Sequence, residues 1–212
     1  YGRINSDGSG METIVNTGGP NLQEFSKAGN GNIAYVADSP VHPSEVYVMK
    51  KDQQAPQRMT DSNSWLEDIA LGEQEVVSWT ARDGKELQGI LIHPVNAPKD
   101  STYPMITVVH GGPESHYNHG WLTGYSQPGQ VAAGKGYYVF YPNYRGSTGR
   151  GEAFAKSSQG DLAGAEFDDI VDGVDEFVDA GIADPDKIGV TGGSYGGYAT
   201  GWMSTRYTDR FA

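Results

Sequence analysis

Cysteine is absent from the 212 residues, which excludes disulfides and thiolate metal centres. The absence is compatible with a reducing or an oxidising compartment, so cytoplasmic and periplasmic or secreted locations both stay open. Basic residues are scarce: 15 Lys and Arg stand against 27 Asp and Glu, and the formal net charge is −12. No basic block interrupts that background, which argues against a nucleic-acid partner, because phosphate binding needs clustered Lys and Arg. Long apolar runs are missing too, and stretches such as "MITVVH" and "YYVFY" fall far short of the ~20 residues that cross a bilayer. No membrane partner is expected. Residues 1–20 carry neither a basic start nor an apolar signal core, and Tyr1 is not a natural start residue. The expectation is that an amino-terminal stretch has been removed, with any signal peptide in it.

What is present divides into two unequal parts. Residues 1–72 are polar, with short β-type runs ("NIAYVA", "EVYVMK") between turn-formers ("AGNGN", "DSPVHPS", "KKDQQAP"), which predicts antiparallel strands. "METIVNTGG" at 11–19 and "PQRMTDSN" at 56–63 echo each other at an offset of about 44 residues, a spacing typical of propeller blades. From residue 73 the pattern changes. "VVSWTARDGKELQGILIHP" reads as a hairpin turning at Asp83-Gly84, and "MITVVH", "YYVFYPN" and "KIGVTG" read as strands buried on both faces of a sheet. Between the last two, Phe167, Ile170, Val171, Val174, Phe177 and Val178 form one face of a helix. Asp168, Asp169, Asp172, Asp175, Glu176 and Asp179 form the other, read as solvated, and Gly181 stands at the C-terminal cap. Strand, helix, strand predicts a crossover unit in a mostly parallel sheet covered by helices, an α/β class.

The chemistry sits where "KIGVT" meets "GYATGWMSTRY". Gly192-Gly193-Ser194-Tyr195-Gly196 matches G-x-S-x-G in a strand-turn-helix context, which exposes the serine hydroxyl on a strained turn. Side chains at Gly192, Gly196 or Gly197 are expected to collide with strand or helix. "VVHGGPE" at 108–114 follows an earlier strand, where exposed amides could supply half of an oxyanion hole. The expected donors are the amides of Gly112 and Tyr195, with Gly111 the alternative to Gly112, and His110 is expected to brace that loop.

Taken together, "HGGPE", "YPNYRGSTGRGE" and "DPDKIGVTGGSYGGYAT" resemble the catalytic domain of the prolyl oligopeptidase family of serine peptidases, in its acylaminoacyl-peptidase and dipeptidyl-peptidase-like branch. The resemblance covers residues 75–212, and residues 1–72 look similar to the closing blades of that family's β-propeller. It implies an α/β-hydrolase domain over 73–212, truncated after the nucleophile helix, in which Ser194 forms an acyl-enzyme with short peptide substrates and needs no metal or cofactor. In such enzymes Asp and then His follow the serine. Only Asp209 and no histidine follow Ser194. The chain by itself is therefore expected to be inactive and poorly stable, with Asp and His of the triad lying beyond Ala212.

Two other readings compete: an esterase or lipase on the same fold, and a non-catalytic binding protein that retains the fold without the base. His110, His116 and His119 are the upstream substitutes for a base, and H-x-x-H at 116–119 is not a convincing metal pair without a third ligand. His42 and His93 are read as surface residues. Arg145 is read chiefly as an inter-loop partner, with a substrate carboxylate as the other option, while Trp65, Trp79, Tyr125 and Tyr144 are candidates for pocket lining.

Overall fold

Residues 2–14, 19–53, 55–98 and 101–211 are described by the computed structural model, in which the chain divides into two units, Tyr1–Ile69 and Ala70–Ala212. In the first, β1 (Gly2–Arg3) pairs with β2 (Glu12–Thr13), and β3 (Asn21–Lys27), β4 (Ile33–Ser39), β5 (His42–Met49) and β6 (Gln57–Arg58) form an antiparallel meander in that order. Alternation makes its core. Ile33, Tyr35 and Ala37 of β4 turn to one face with Tyr47 and Met49 of β5, and the Tyr35 and Tyr47 rings stack across the strands with centroids 5.3 Å apart. The two echoing pieces take different places: Gln57–Arg58 forms the edge of the meander, Glu12–Thr13 pairs with β1, and residues 15–18 of the first lie outside the described set.

One surface assignment is corrected here. A two-residue turn at Pro40–Val41 is enough to reverse the chain, so His42 opens β5 instead of lying in a loop. It is buried, hydrogen-bonded through Nε2 to the Tyr47 hydroxyl at 2.9 Å and through Nδ1 to the Pro43 carbonyl at 2.7 Å. His93 is half-buried, 2.6 Å from Glu75.

The second unit is a five-stranded sheet of β7 (Gln74–Thr80), β8 (Glu86–Ile92), β9 (Tyr103–Val109), β10 (Tyr138–Asn143) and β11 (Ala183–Gly192), in the order β11-β9-β10-β8-β7. The predicted hairpin is β7–β8, turning through Gly84 at φ +86°. β8 meets β10 antiparallel, while β10, β9 and β11 run parallel. Their apolar runs are explained by cover on both faces. One face packs Trp79, Phe140 and Met105 against α3 (Ala165–Asp179) and α4 (Tyr195–Arg206); the other packs Ile90, Val108 and Val139 against Ala132 and Ala133 of α1 (Gly129–Ala133). A four-residue α2 (Glu152–Ala155) precedes α3. Because β10 lies on one side of β9 and β11 on the other, strand order reverses between β9 and β11, and the carboxyl ends of these two strands flank the usual place for a site in such sheets.

The acidic face of α3 is not simply solvated, contrary to expectation. Asp169 is fully buried and takes a two-pronged ion pair from Arg145, Asp168 and Asp172 face Arg82, and Asp175 faces Arg210. Only Glu176 and Asp179 of that face are exposed. Basic residues distant in sequence, which helical periodicity cannot register, account for the difference. The helix ends as predicted, with Gly181 at φ +73°.

Candidate active site

Ser194 stands between the end of β11 and the start of α4, exposed, with φ 56° and ψ −121°. A residue with a Cβ is strained there, and such strain persists only where its surroundings enforce it. The enforcement comes from β9. A Cβ on Gly192 or Gly196 would fall well inside contact distance of the Val109 carbonyl oxygen, so strand and helix close on each other only because both positions are glycine. Gly197 differs from expectation: a Cβ there would meet nothing nearer than the Gly192 carbonyl oxygen at 3.4 Å, an ordinary contact, because that side of the first helical turn faces open space.

The loop after β9 is packed directly against the serine. A Cβ at Gly111 would stand 3.2 Å from Ser194 Cβ and 3.6 Å from its Oγ. Gly112 has φ +119°, which glycine tolerates and other residues rarely adopt. Among the described residues the amides of Gly111, Gly112 and Tyr195 donate to no other backbone group, whereas the next amides in α4, of Gly196, Gly197 and Tyr198, bond to Gly193 and Ser194 carbonyls. Free donors beside an exposed hydroxyl are what stabilisation of a developing oxyanion requires. An open cavity of ≈ 240 Å³ lies beside them, lined by His110, Gly111, His116, Tyr117, Gln127 and Gly193 among others.

His110 is locked behind this loop. Its Nδ1 donates to the Gly111 carbonyl at 2.8 Å, and Nε2 accepts from the Ser147 hydroxyl at 2.8 Å, which fixes the tautomer. Its ring stacks on Tyr144 at 4.4 Å, and the Tyr144 hydroxyl donates to the His110 carbonyl at 2.9 Å. Burial, the dominant influence, pulls the imidazole down to about 4, so it is neutral at ordinary pH and both nitrogens are engaged. As a base for Ser194 it is poorly equipped; as a brace for the glycine loop it is well placed. His116 Nδ1 faces Thr148 Oγ1 at 2.8 Å, and His119 lies 3.5 Å from the Gln74 amide. No group of three His, Cys, Asp or Glu among the described residues is arranged to hold a metal.

Other sequence candidates fall into place. Arg145 binds Asp169 through Nε and Nη2 at 2.8 and 2.6 Å and Asp83 through Nη1 at 2.7 Å, so its fork is spent on joining the β7–β8 turn to α3. Of the four aromatic candidates, Trp79 is core, its Nε1 donating to the Asp169 carbonyl at 2.8 Å, and Tyr144 is buried against His110, while Trp65 and Tyr125 are exposed. Three residues near the site escaped the sequence reading. Ser147 and Thr148, in the loop after β10, hold His110 and His116; Glu166 of α3 accepts the Tyr195 hydroxyl at 2.6 Å. Only the glycine-punctuated "YRGSTGRGE" hinted at the first two.

An exposed serine on a glycine-lined strand-to-helix elbow, in a sheet of this order, defines an α/β-hydrolase fold. Residues 123–212 match the prolyl oligopeptidase family, and the chain belongs to that family. It is 37% identical over 174 residues to the uncharacterized peptidase YuxL of Bacillus subtilis, covering 81% of this chain and 26% of that protein. It is 38% identical over 153 residues to dipeptidyl aminopeptidase BIII of Pseudoxanthomonas mexicana, covering 69% of this chain and 22% of that protein. Among solved structures, an uncomplexed acylaminoacyl peptidase of Pyrococcus horikoshii superposes with a TM-score of 0.78 at 31% identity over 92% of this chain and 30% of its own. An acylaminoacyl peptidase bound to Z-Gly-Gly-Phe-chloromethyl ketone gives 0.81 at 32% identity, covering 95% of this chain and 31% of its own. The chain thus spans about a quarter of the curated relatives it matches.

Proposed function

We propose that this chain carries the nucleophile and oxyanion donors of a serine peptidase that hydrolyses short peptides in an acylaminoacyl- or dipeptidyl-peptidase-like manner. Ser194 Oγ attacks the scissile carbonyl carbon, its proton passes to a base, and the carbonyl oxygen gains negative charge against the amides of Gly112 and Tyr195. Collapse of that adduct expels the amine and leaves an acyl group on Ser194, which water removes. The observation that carries this reading is the left-handed backbone of Ser194 beside Gly111, a costly arrangement with a use if the hydroxyl must meet substrate and amides together.

None of the five histidines is hydrogen-bonded to Ser194 among the described residues, and each has a partner elsewhere. The proposal is therefore that residues 1–212 alone do not turn over substrate, and that Asp and His come from outside this segment. Residues 1–72, with the meander β3–β6 as one blade, are proposed as the closing strands of a β-propeller that restricts entry to short peptides. In the natural full-length protein, acyl-peptide and dipeptide anilides are expected to be cleaved in preference to short-chain p-nitrophenyl esters. Cleavage of the esters alone would establish an esterase, and no hydrolysis of either, with binding of peptides, would establish a non-catalytic protein.

A further inference from the structure

Glu166 is fully buried in the first turn of α3, yet its partners among the described residues are all neutral donors. Oε1 accepts the Ala163 amide at 2.5 Å and the Tyr195 hydroxyl at 2.6 Å, and Oε2 accepts the Gly164 amide at 3.1 Å. A buried carboxylate is expensive unless its lone pairs are filled, and the start of a helix is a favourable place for its charge. The one side chain it grips belongs to the residue immediately after Ser194. Tyr195 is also held along its ring, with centroids 5.6 Å from Phe167 and 5.5 Å from Tyr198. Burial, reinforced by Glu166, pushes its phenol well above the ordinary tyrosine range, so the hydroxyl stays a donor.

Tyr195 thus has two working ends. Its hydroxyl is anchored to α3, and its amide, which donates to no backbone group among the described residues, is the proposed oxyanion donor. Anchoring the ring at both its face and its hydroxyl holds the Cα of Tyr195, the pivot of the peptide that carries its amide, so slack in the side chain becomes slack in the amide. Because an oxyanion donor works only when held to within a fraction of an ångström, a fixed lever on that amide has direct catalytic value. We propose that Glu166 is a positioning residue that acts through the Tyr195 side chain to aim the Tyr195 amide. This rests on the assignment of Ser194 and the Tyr195 amide made above.

The test uses the natural full-length protein with Glu166→Gln, Tyr195→Phe, the double variant and Ser194→Ala, on a peptide anilide and on a peptide aldehyde whose hemiacetal oxygen takes the oxyanion position. Tyr195→Phe is expected to lower kcat about 10-fold with KM within about two-fold, a part of the loss that follows removal of a whole oxyanion donor. Aldehyde affinity should fall by the same factor. Glu166→Gln should do likewise, and the double variant should lie within about two-fold of the weaker single one, since both remove the same link. Wild-type kcat and aldehyde affinity in Tyr195→Phe, or effects that multiply in the double variant, would overturn the proposal. Should Glu166→Gln not fold, Tyr195→Phe carries the test alone, because it deletes a single oxygen from a half-buried ring. With Ser194→Ala inactive, a wild-type Tyr195→Phe sinks only the Glu166 link; activity in Ser194→Ala sinks the nucleophile assignment and the link with it.

Discussion

The carbonyl oxygen of Val109 occupies the space that a side chain on Gly196 would need, so the end of β9 and the first turn of α4 can touch only through a glycine. Gly196→Ala must push the helix away from the strand and shift Ser194 with it. A displacement of about 1 Å at a reacting group is expected to cost on the order of 100-fold in kcat/KM, with roughly 1–3 kcal/mol of overpacking strain. Gly197→Ala, which meets only ordinary contact, should change stability by less than about 0.5 kcal/mol. Kinetics and thermal unfolding of the two variants side by side check the contrast, and equal damage at both positions would contradict it.

Ser147 holds the far nitrogen of His110, and removing its hydroxyl leaves a buried imidazole nitrogen unpaired. Ser147→Ala is therefore expected to cost about 1–3 kcal/mol of stability and to lower kcat by loosening the glycine loop that His110 supports through Gly111. Unfolding in denaturant measures the first effect and steady-state kinetics the second. A variant with unchanged stability and turnover would show that the brace does not act.

Arg145 and Asp169 form a buried pair, with the Arg145 side chain 10% exposed and that of Asp169 at 0%. Breaking it by Asp169→Ala strands the guanidinium and is expected to cost about 3–5 kcal/mol. Arg145→Lys should also destabilise, since an ammonium cannot reproduce the fork that reaches both Asp169 and Asp83. A midpoint shift in urea decides the matter, and near-neutral behaviour of both variants would refute it.

The sheet was legible in residues 73–212 because buried parallel strands have uninterrupted apolar runs, and "MITVVH", "YYVFYPN" and "KIGVTG" each found their strand. At the elbow, Gly192 and Gly196 were legible because close backbone approach leaves no room for a side chain, whereas Gly197 meets no such approach. What local pattern could not show were partnerships between distant residues. Asp169 looks like any acidic helix position until Arg145 arrives from the loop after β10, and Glu166 shows its role only when Tyr195, 29 residues later, is brought to it. His42 was misplaced for the same reason: two flanking prolines suggest a loop, but pairing with β4 makes it strand.

Acid should act through two groups in sequence. The folded His110 is held at about 4, below its ordinary 6.5, so the unfolded chain takes up a proton that the folded one refuses. Stability on the order of 3 kcal/mol is then present above pH 6.5 and lost as pH falls from 6.5 to about 4. Asp83, held down to about 2 chiefly by the hydrogen bond from Arg145, contributes stability above its ordinary 3.8 that is lost as pH falls from there toward 2. Unfolding midpoints between pH 8 and 2 trace both limbs, and His110→Gln should flatten the first while sparing the second.

In the natural full-length protein, Ser194→Ala should fold as the parent does, because the position is exposed, yet lose turnover of peptide anilides by about 10⁶-fold. A fluorophosphonate probe should label the parent protein on the peptide bearing Ser194 and leave the variant unlabelled. Peptidase activity or probe labelling that survives Ser194→Ala would contradict the assignment.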